Sequence, residues 1–124
     1  MLSDLYEKTQ SIESKHSNNI ALDIRTYIDQ KICEKITLDN IVDAFFISKT
    51  RIIHLFRKNF GVSPYQYLIT QRINMACSLL KNSNLSIREI AEMLQFADPH
   101  YFSNFFKSKI GISPVDYRKN THIS

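Results

Sequence analysis

The sequence predicts an all-α fold, two helix-turn-helix subdomains joined by a long linker helix, with about seven helices in total. Three observations lead to this prediction. The 124 residues include only two glycines and three prolines, which favours helices with short connections over a sheet protein with many turns. Apolar residues recur at the i, i+3, i+4, i+7 spacing of amphipathic helices. An internal repeat then groups the helices into two similar units.

The internal repeat is clearest in the second half of each unit. Residues 55–67, LFRKNFGVSPYQY, are matched by residues 105–117, FFKSKIGISPVDY. Upstream, the apolar positions of residues 38–45 recur in residues 87–94. The first helices align at an offset of 49 residues and the second helices at 50, so the second unit has one extra residue in its turn. Two similar units predict two similar contacts with a repetitive partner.

The chain divides into a polar connector or tail, a first helix-turn-helix subdomain, a linker helix and a second helix-turn-helix subdomain, at residues 1–18, 19–62, 63–82 and 83–124. The first helix is expected from Ile20 to about Cys33, because its apolar residues fall on one face. It is expected to pack on the first repeat unit.

The first repeat unit carries start and stop signals at the expected positions. Thr37 is the expected N-cap of a helix at residues 38–45. Ser48 is the expected N-cap of the next helix, at about residues 49–59, and Gly61 is its expected stop. The expected turn between these two amphipathic helices is very short. Such an arrangement is typical of a helix-turn-helix, in which the second helix projects from the protein surface.

The linker helix is expected to start at Ser63-Pro64, an N-cap followed by proline, and to run to about Lys81. At 1.5 Å per residue, such a helix of about 18 residues spans roughly 27 Å, comparable to one DNA helical turn of ~34 Å. The sequence therefore predicts that the linker holds the two units at a fixed separation.

The second repeat unit shows the same kinds of signal. Residues 86–89, SIRE, form a capping-box pattern, and Asp98 precedes a proline at the start of the next helix. Gly111 is the expected stop of that helix. A short final helix is expected from Pro114 through Tyr117, with a frayed chain beyond it.

Several classes of protein are disfavoured by what the sequence lacks. No apolar run approaches the roughly 20 residues that span a bilayer, and no signal peptide is present, so we expect no membrane association and a cytoplasmic location. Cys33 and Cys77 lack zinc-ligand spacing and are interpreted as reduced structural thiols, with no metal and no cofactor. No nucleophile–base motif, glycine-rich phosphate loop or carboxylate pair indicates an enzyme.

Charge is distributed unevenly along the chain. Residues 1–43 hold eight acids and five bases, a net charge of −3, which leaves +7 for the remainder of a chain of net charge +4. Residues 44–88 contain no Asp or Glu and carry seven Lys and Arg residues. A field of one sign attracts a polyanion. Charge alone leaves a generic basic surface as an equal alternative.

A set of spaced residues in the second half of the chain forms a recognisable pattern: Leu79-Leu80, residues 85–91 (LSIREIA), Phe96, Tyr101-Phe102, residues 105–107 (FFK), residues 111–114 (GISP) and Tyr117-Arg118. The pattern resembles the DNA-binding domain of the AraC/XylS transcription regulators, and the match covers about residues 20–119. The resemblance implies a bacterial regulator whose two recognition helices enter successive major-groove segments on one face of double-stranded DNA.

Two positions depart from the family pattern. Gln95 stands where the family usually has a glycine, and neither an acidic pair nor a glycine marks the first unit's turn at Phe46. If Gln95 adopts a positive φ, the conformation costs on the order of 1 kcal/mol. We therefore expect the second unit to dock at a slightly different angle.

The second helix of the first unit supplies the first candidate DNA face. Opposite its apolar side it presents Lys49, Thr50, Ile53, His54, Arg57 and Lys58. By family position, Thr50, Ile53 and His54 fall where base edges are read. A hydroxyl serves several bases, and Ile53 suits a thymine methyl.

The second unit supplies the matching face. It consists of Pro99, His100, Ser103 and Asn104, opposite an aromatic side. Asn104 is the strongest single base-reading candidate, because an Asn amide contacts adenine N6 and N7 together, a pairing worth roughly 1–3 kcal/mol of discrimination. A solvated surface role is the alternative for Asn104 and for His100.

Long cations flanking the two helices are assigned to DNA phosphates, which fix register without reading sequence. They are Lys49, Arg51, Arg57, Lys58, Lys107 and Lys109. Arg72 is interpreted differently. It lies on the linker helix, where the family commonly has arginine, and a structural role there is favoured over a phosphate contact.

The family resemblance also frames the partners. It implies an activator that can contact RNA polymerase as well as DNA, and a helical protein-interaction module is the competing class. Residues 1–18 resemble the connector after a sensor domain, which favours a C-terminal fragment of a longer sensor-regulator over a small stand-alone member. On that reading, the inducer site and dimerisation surface lie in a missing N-terminal domain, and this segment binds no small molecule.

Overall fold

The computed structural model describes residues 18–121, and every regular element in that range is an α-helix. Helix α1 is described over residues 18–30. The remaining helices are α2 (Leu38–Phe45), α3 (Lys49–Phe60), α4 (Pro64–Asn82), α5 (Ile87–Met93), α6 (Pro99–Ile110) and α7 (Pro114–Thr121). The predicted all-α class is therefore confirmed. Within the described range, none of these helices is long and apolar enough to cross a membrane.

The described residues form two compact units. Unit 1 comprises residues 18–30 and 36–67, and unit 2 comprises residues 31–35 and 68–121. The division between them falls inside α4. Each unit contains one helix-turn-helix pair, α2–α3 in unit 1 and α5–α6 in unit 2.

Unit 1 buries an apolar face from each of its first three helices. Ala21, Ile24 and Ile28 of α1 are buried, as is Ile41 of α2. The buried residues of α3 are Ile52, Leu55 and Phe56. The ring of Phe56 lies 5.4 Å from that of Tyr67, in an edge-on arrangement. The amphipathic spacing thus determines which side of α3 faces the core and which remains free.

Unit 2 has one continuous apolar core. Its fully buried aromatic rings, Phe102 and Phe106, both come from α6, and their centroids lie 5.9 Å apart. Core residues of α4 and α5 pack around them: Ile73, Ala76, Leu80, Ile90 and Ala91, with Leu94 and Phe96 from the following turn. The core fixes α6 from one side, so the opposite side of α6 faces solvent.

The predicted N-caps are confirmed. Thr37 and Asn40 form a reciprocal capping box at the start of α2, and Ser86 and Glu89 form another at the start of α5. The Oγ of Ser63 accepts a hydrogen bond from the amide of Gln66 at 3.2 Å, at the start of α4. These caps satisfy amide groups that have no partner inside the helix.

The two departures from the family pattern occupy equivalent, left-handed positions. Phe46 has φ 56° and Gln95 has φ 65°, and the two residues are separated by the 49-residue offset of the repeat. Gln95 therefore does adopt the positive φ that the sequence analysis considered as a condition. In unit 2, the side chain of Gln95 donates a hydrogen bond to the carbonyl of Cys33 at 3.0 Å, which a glycine cannot do.

The last helix differs from the sequence expectation. It was expected to end at Tyr117, but α7 continues to Thr121. The guanidinium of Arg118 donates to the carbonyls of Leu80 and Ser83 at 3.1 and 3.4 Å, and the Thr121 hydroxyl donates to the Tyr117 carbonyl. These tertiary and local bonds hold a segment whose polar sequence lacks helical periodicity. Residues 122–124 and the expected connector, apart from residue 18, lie outside the described range.

Candidate nucleic-acid interface

Helix α3 presents one polar and basic face. Its N-terminus is fixed by Ser48, whose Oγ accepts from the amide of Arg51 at 3.2 Å, and its C-terminus ends at Gly61 with φ 76°. Because Ile52, Leu55 and Phe56 are buried, the opposite side is left exposed. The helix is thereby held at both ends and along one side, which orients the exposed side chains.

Five of the predicted contact residues of α3 lie together. Thr50, Ile53, His54, Arg57 and Lys58 line one shallow surface depression. Ile53 is half-buried, whereas the other four are exposed. An apolar side chain flanked by a hydroxyl, an imidazole and two cations matches the mixed chemistry of a DNA major groove, which offers methyl groups, hydrogen-bonding base edges and phosphates.

The remaining two cations predicted on α3 lie outside this depression. Arg51 is exposed. Lys49 forms an ion pair with Asp39 of α2, with 2.7 Å between its Nζ and the carboxylate oxygen Oδ1. The sequence analysis did not single out Asp39. Asp39 is the second residue of α2 and Lys49 the first of α3, so the only available signal was that a helix-turn-helix brings such positions close.

Helix α6 is positioned in the same way as α3. Asp98 is its N-cap and accepts from the amide of Tyr101 at 2.7 Å, and Gly111 ends it with φ 99°. Both helices are 12 residues long and begin 50 residues apart. The repeat in sequence is therefore a repeat in structure, from cap to cap.

The predicted base-reading residues of α6 lie on its solvent side. His100 and Asn104 are exposed, and Pro99 and Ser103 are half-buried. Lys107 and Lys109 are exposed in the last turn. The Nζ of Lys109 lies 5.6 Å from the centroid of the Phe105 ring, close enough for a cation–π attraction. Lys109 therefore has an intramolecular contact that Lys107 lacks among the described residues.

The aromatic residues of α6 divide between core and surface. Phe102 and Phe106 are fully buried, whereas Tyr101 is 48% exposed. Tyr101 contacts the rings of Phe96 and Phe105 at 6.2 Å from each. Ile110, which the repeat aligns with an apolar position in unit 1, is exposed.

Arg72 of α4 is buried inside unit 2. Its Nε donates to the carbonyl of Ile32 at 3.0 Å, and its terminal nitrogen NH2 donates to the carbonyl of Glu34 at 2.8 Å. Together with the bond from Gln95 to Cys33, three consecutive carbonyls of residues 32–34 accept from side chains of unit 2. Arg72 therefore holds a backbone segment, which is the structural role favoured by the sequence analysis.

The two cysteines differ in their surroundings. Both are free thiols, Cys33 exposed and Cys77 half-buried. Burial raises the pKa of the Cys77 thiol, and a hydrogen bond with the Tyr117 side chain partly opposes that increase. Burial also raises the pKa of the Tyr117 hydroxyl. Cys77 is consequently protonated at neutral pH and belongs to the packing of unit 2.

The described residues contain two helix-turn-helix pairs. In each pair the second helix is buried on its apolar side and exposes a polar and basic side, which is the arrangement of a double helix-turn-helix protein of the nucleic-acid-binding class. A family described as a helix-turn-helix domain matches residues 41–120, and this is its AraC-type form. The chain belongs to the AraC-type helix-turn-helix family of DNA-binding transcription regulators.

Individual relatives agree with this assignment. The chain is 34% identical over 99 residues to the HTH-type transcriptional regulator YijO of Escherichia coli K12, a match that covers 80% of this chain and 35% of that protein. The chain thus spans about a third of the length of this relative.

Solved structures agree as well. The C-terminal domain of AraT, a response regulator from Geobacillus stearothermophilus, superposes with a TM-score of 0.80 at 31% identity, covering 85% of this chain and 88% of that one. The DNA-binding domain of AdpA, a global transcriptional factor solved in complex with a target DNA, superposes with a TM-score of 0.74 at 27% identity. That match covers 81% of this chain and 90% of the AdpA domain.

Proposed function

We propose that this chain reads duplex DNA with both of its helix-turn-helix units, with α3 and α6 entering successive major-groove segments. The single observation that carries the proposal is that α3 and α6 have the same length, the same kinds of cap and the same kind of buried side. Each has 12 residues, an N-cap with a hydrogen-bonding side chain, a left-handed glycine at its end and a buried apolar side. A frame used twice presents two exposed faces of the same length to a repetitive partner.

In α3, we assign base reading to Thr50, Ile53 and His54. The three side chains share one depression, and their chemistry is complementary to base edges in the major groove. A hydroxyl donates or accepts, an imidazole donates from one ring nitrogen, and the branched aliphatic side chain of Ile53 packs against a thymine methyl. The neighbouring cations, Arg57 and Lys58, favour a polyanion as the partner of this face.

In α6, we assign base reading to Pro99, His100, Ser103 and Asn104. Asn104 is exposed on the side opposite the fully buried Phe102 and Phe106. A primary amide at such a position can donate to adenine N7 and accept from adenine N6. The other three residues supply an apolar edge, an imidazole and a hydroxyl around it.

Phosphate contacts are assigned to the exposed cations that flank these readers. They are Lys49, Arg51, Arg57, Lys58, Lys107 and Lys109. Six such contacts predict a log–log salt slope of about −5, because each neutralised phosphate contributes about −0.9. Arg72 is left out of the set because its guanidinium is committed to backbone carbonyls.

The regulatory setting proposed for the chain rests on its relatives. Because the chain spans 35% of the length of YijO, we place it as the C-terminal DNA-binding portion of a longer cytoplasmic sensor-regulator that activates transcription and contacts RNA polymerase. Effector binding and dimerisation are assigned to the remainder of that longer protein. The role is regulatory and involves no catalysis.

The test of the proposal is selection of bound duplexes from a random pool by the purified chain, followed by affinity for the enriched duplex across a salt series. Two short enriched blocks about one helical turn apart support readout by two units. A single block overturns two-unit readout. No enrichment, with binding insensitive to salt, overturns DNA binding and favours a protein-interaction module.

Two single substitutions test the division between readers and phosphate contacts. Asn104→Ala is expected to relax sequence preference at one position, by roughly 1–3 kcal/mol of lost discrimination. Lys58→Ala is expected to weaken binding to every duplex alike and to reduce the salt slope by about 0.9. Equal losses on all sequences from both variants contradict the division of roles.

A further inference from the structure

The ion pair between Asp39 and Lys49 joins the two helices of the first helix-turn-helix. The Nζ of Lys49 lies 2.7 Å from the Oδ1 of Asp39, and both side chains remain exposed, by 57% and 70% respectively. Asp39 lies in the first turn of α2, which the capping box of Thr37 and Asn40 holds in place. The carboxylate is therefore presented from a fixed helix end to the first residue of α3.

Lys49 is unfavourably placed in the absence of this carboxylate. It is the first residue of α3, and the first turn of α3 contains no acidic residue. The N-terminus of a helix carries a partial positive charge, so a cation there is disfavoured. A nearby anion offsets that effect, and in the free protein Asp39 supplies it.

A DNA phosphate offers Lys49 the same kind of partner. Carboxylate and phosphate oxygens are both anionic acceptors, and a lysine ammonium is a compact charge that can exchange one for the other. We propose that Asp39 is an intramolecular competitor of DNA for Lys49. On duplex DNA, the Lys49 ammonium transfers to a phosphate, and Asp39 is left without its partner beside a polyanion.

This inference rests on the proposed function, and specifically on the assignment of Lys49 to a phosphate. It adds a residue of opposite sign to the interface, one that weakens binding to every duplex rather than strengthening it. Since the pair is exposed, its disruption is worth about two- to fivefold in affinity, the upper part of the range measured for surface ion pairs. The effect is electrostatic, so it diminishes as salt rises.

Three variants and one matched control test the exchange: Asp39→Asn, Lys49→Ala, the double variant, and Asp43→Asn. Asp43 is an exposed residue of the same helix with no ion pair among the described residues. Asp43→Asn therefore changes the net charge of the chain as Asp39→Asn does, but it breaks no ion pair. Affinity for the enriched duplex is measured between about 50 and 200 mM salt. Thermal unfolding of each variant verifies that it is folded.

The exchange predicts three results. Asp39→Asn tightens binding about two- to fivefold more than Asp43→Asn at the lowest salt. Lys49→Ala reduces the salt slope of the otherwise unchanged chain by about 0.9, because one phosphate contact is lost. Lys49→Ala also reduces affinity by a larger factor when Asp39 is already Asn, because the lysine then gives up no intramolecular partner on binding.

Two results overturn the inference while leaving the reading of duplex DNA by α3 and α6 intact, and the second of them also removes Lys49 from the proposed phosphate contacts. One is equal binding by Asp39→Asn and Asp43→Asn, which shows that Asp39 affects DNA binding only through the net charge of the chain. The other is an unchanged salt slope for Lys49→Ala, which shows that the pair stays closed on DNA. Absence of salt-dependent duplex binding by the unsubstituted chain overturns the proposed function and this inference together.

Discussion

At the scale of single residues, Phe46 has a strained, left-handed backbone, and its ring makes no aromatic contact with the part of the chain that the structure describes. It has φ 56° and its side chain is 92% exposed. An L-residue in the left-handed region carries a penalty of about 1 kcal/mol or more that glycine avoids. Gln95 bears a similar penalty, but its amide donates to the Cys33 carbonyl, and such a bond offsets about 1 kcal/mol.

Phe46→Gly is therefore expected to raise the free energy of unfolding by about 1 kcal/mol, which corresponds to a Tm increase of several degrees. Gln95→Gly is the matched comparison and is expected to give a smaller gain or none, because it removes strain and a hydrogen bond together. Chemical denaturation measures both. A destabilised Phe46→Gly contradicts the account, because it requires contacts for Phe46 that the described residues do not provide.

The two thiols are expected to differ in reactivity. Since the thiolate is the nucleophile and burial raises the pKa of Cys77 from 9.0, iodoacetamide at neutral pH should alkylate the exposed Cys33 much faster. Mass spectrometry of the labelled peptides measures the alkylation rates. Equal rates at both sites contradict the assigned environments.

The raised pKa of Cys77 also links the stability of the fold to pH. The folded pKa lies above the unfolded one, so the stability linked to Cys77 is full below pH 9 or so and declines as pH rises through the folded value.

At the scale of helices, the start and stop signals could be predicted from the sequence because they are local. Ser48, Asp98, Gly61 and Gly111 act on neighbours within four residues, so residue type and position were sufficient. The length of α7 was not predictable in this way. It depends on Arg118 reaching carbonyls 35 and 38 residues earlier.

The same reasoning explains what could be anticipated of the candidate site. The polar face of α3 followed from helical periodicity, because its apolar residues had to be buried. The partner of Lys49 did not follow, because Asp39 is one of several exposed acids on the first two helices and periodicity does not rank them. Pairing of exposed charges is set by the angle and distance between helices.

Helix α4 contributes one buried charge, Arg72, to unit 2 in addition to its apolar core residues. Arg72→Met keeps much of the side-chain length but leaves the Ile32 and Glu34 carbonyls without their charged donor. We expect a loss of about 2–3 kcal/mol in the free energy of unfolding. The salt slope of DNA binding should stay unchanged, because Arg72 contacts no phosphate in this account.

Arg57→Met is the matched control for that substitution. Arg57 is exposed on α3, so its loss should leave the unfolding free energy within about 0.5 kcal/mol of the unsubstituted value. The salt slope should fall by about 0.9. If Arg72→Met instead reduces the salt slope of DNA binding and leaves the free energy of unfolding unchanged, that result contradicts a structural role for Arg72.

At the scale of the whole molecule, the sequence repeat, the repeated cap-to-cap frame and the two polar faces point to one mode of action. Each unit buries its own apolar residues and presents its own recognition helix. Both faces carry an apolar side chain, a hydroxyl and an imidazole, but the α6 face adds the amide of Asn104. Two different faces predict two different preferred base sequences in one binding site.

The central claim is that each unit reads its own block of base pairs, and the most direct measurement repeats the duplex selection with one face removed at a time. One variant carries Thr50→Ala and His54→Ala in α3, and the other carries His100→Ala and Asn104→Ala in α6. All four side chains are exposed, so unfolding curves should match that of the unsubstituted chain. The account predicts that each variant loses a different block and keeps the other. Loss of the same block by both variants, or of neither block by either, contradicts it.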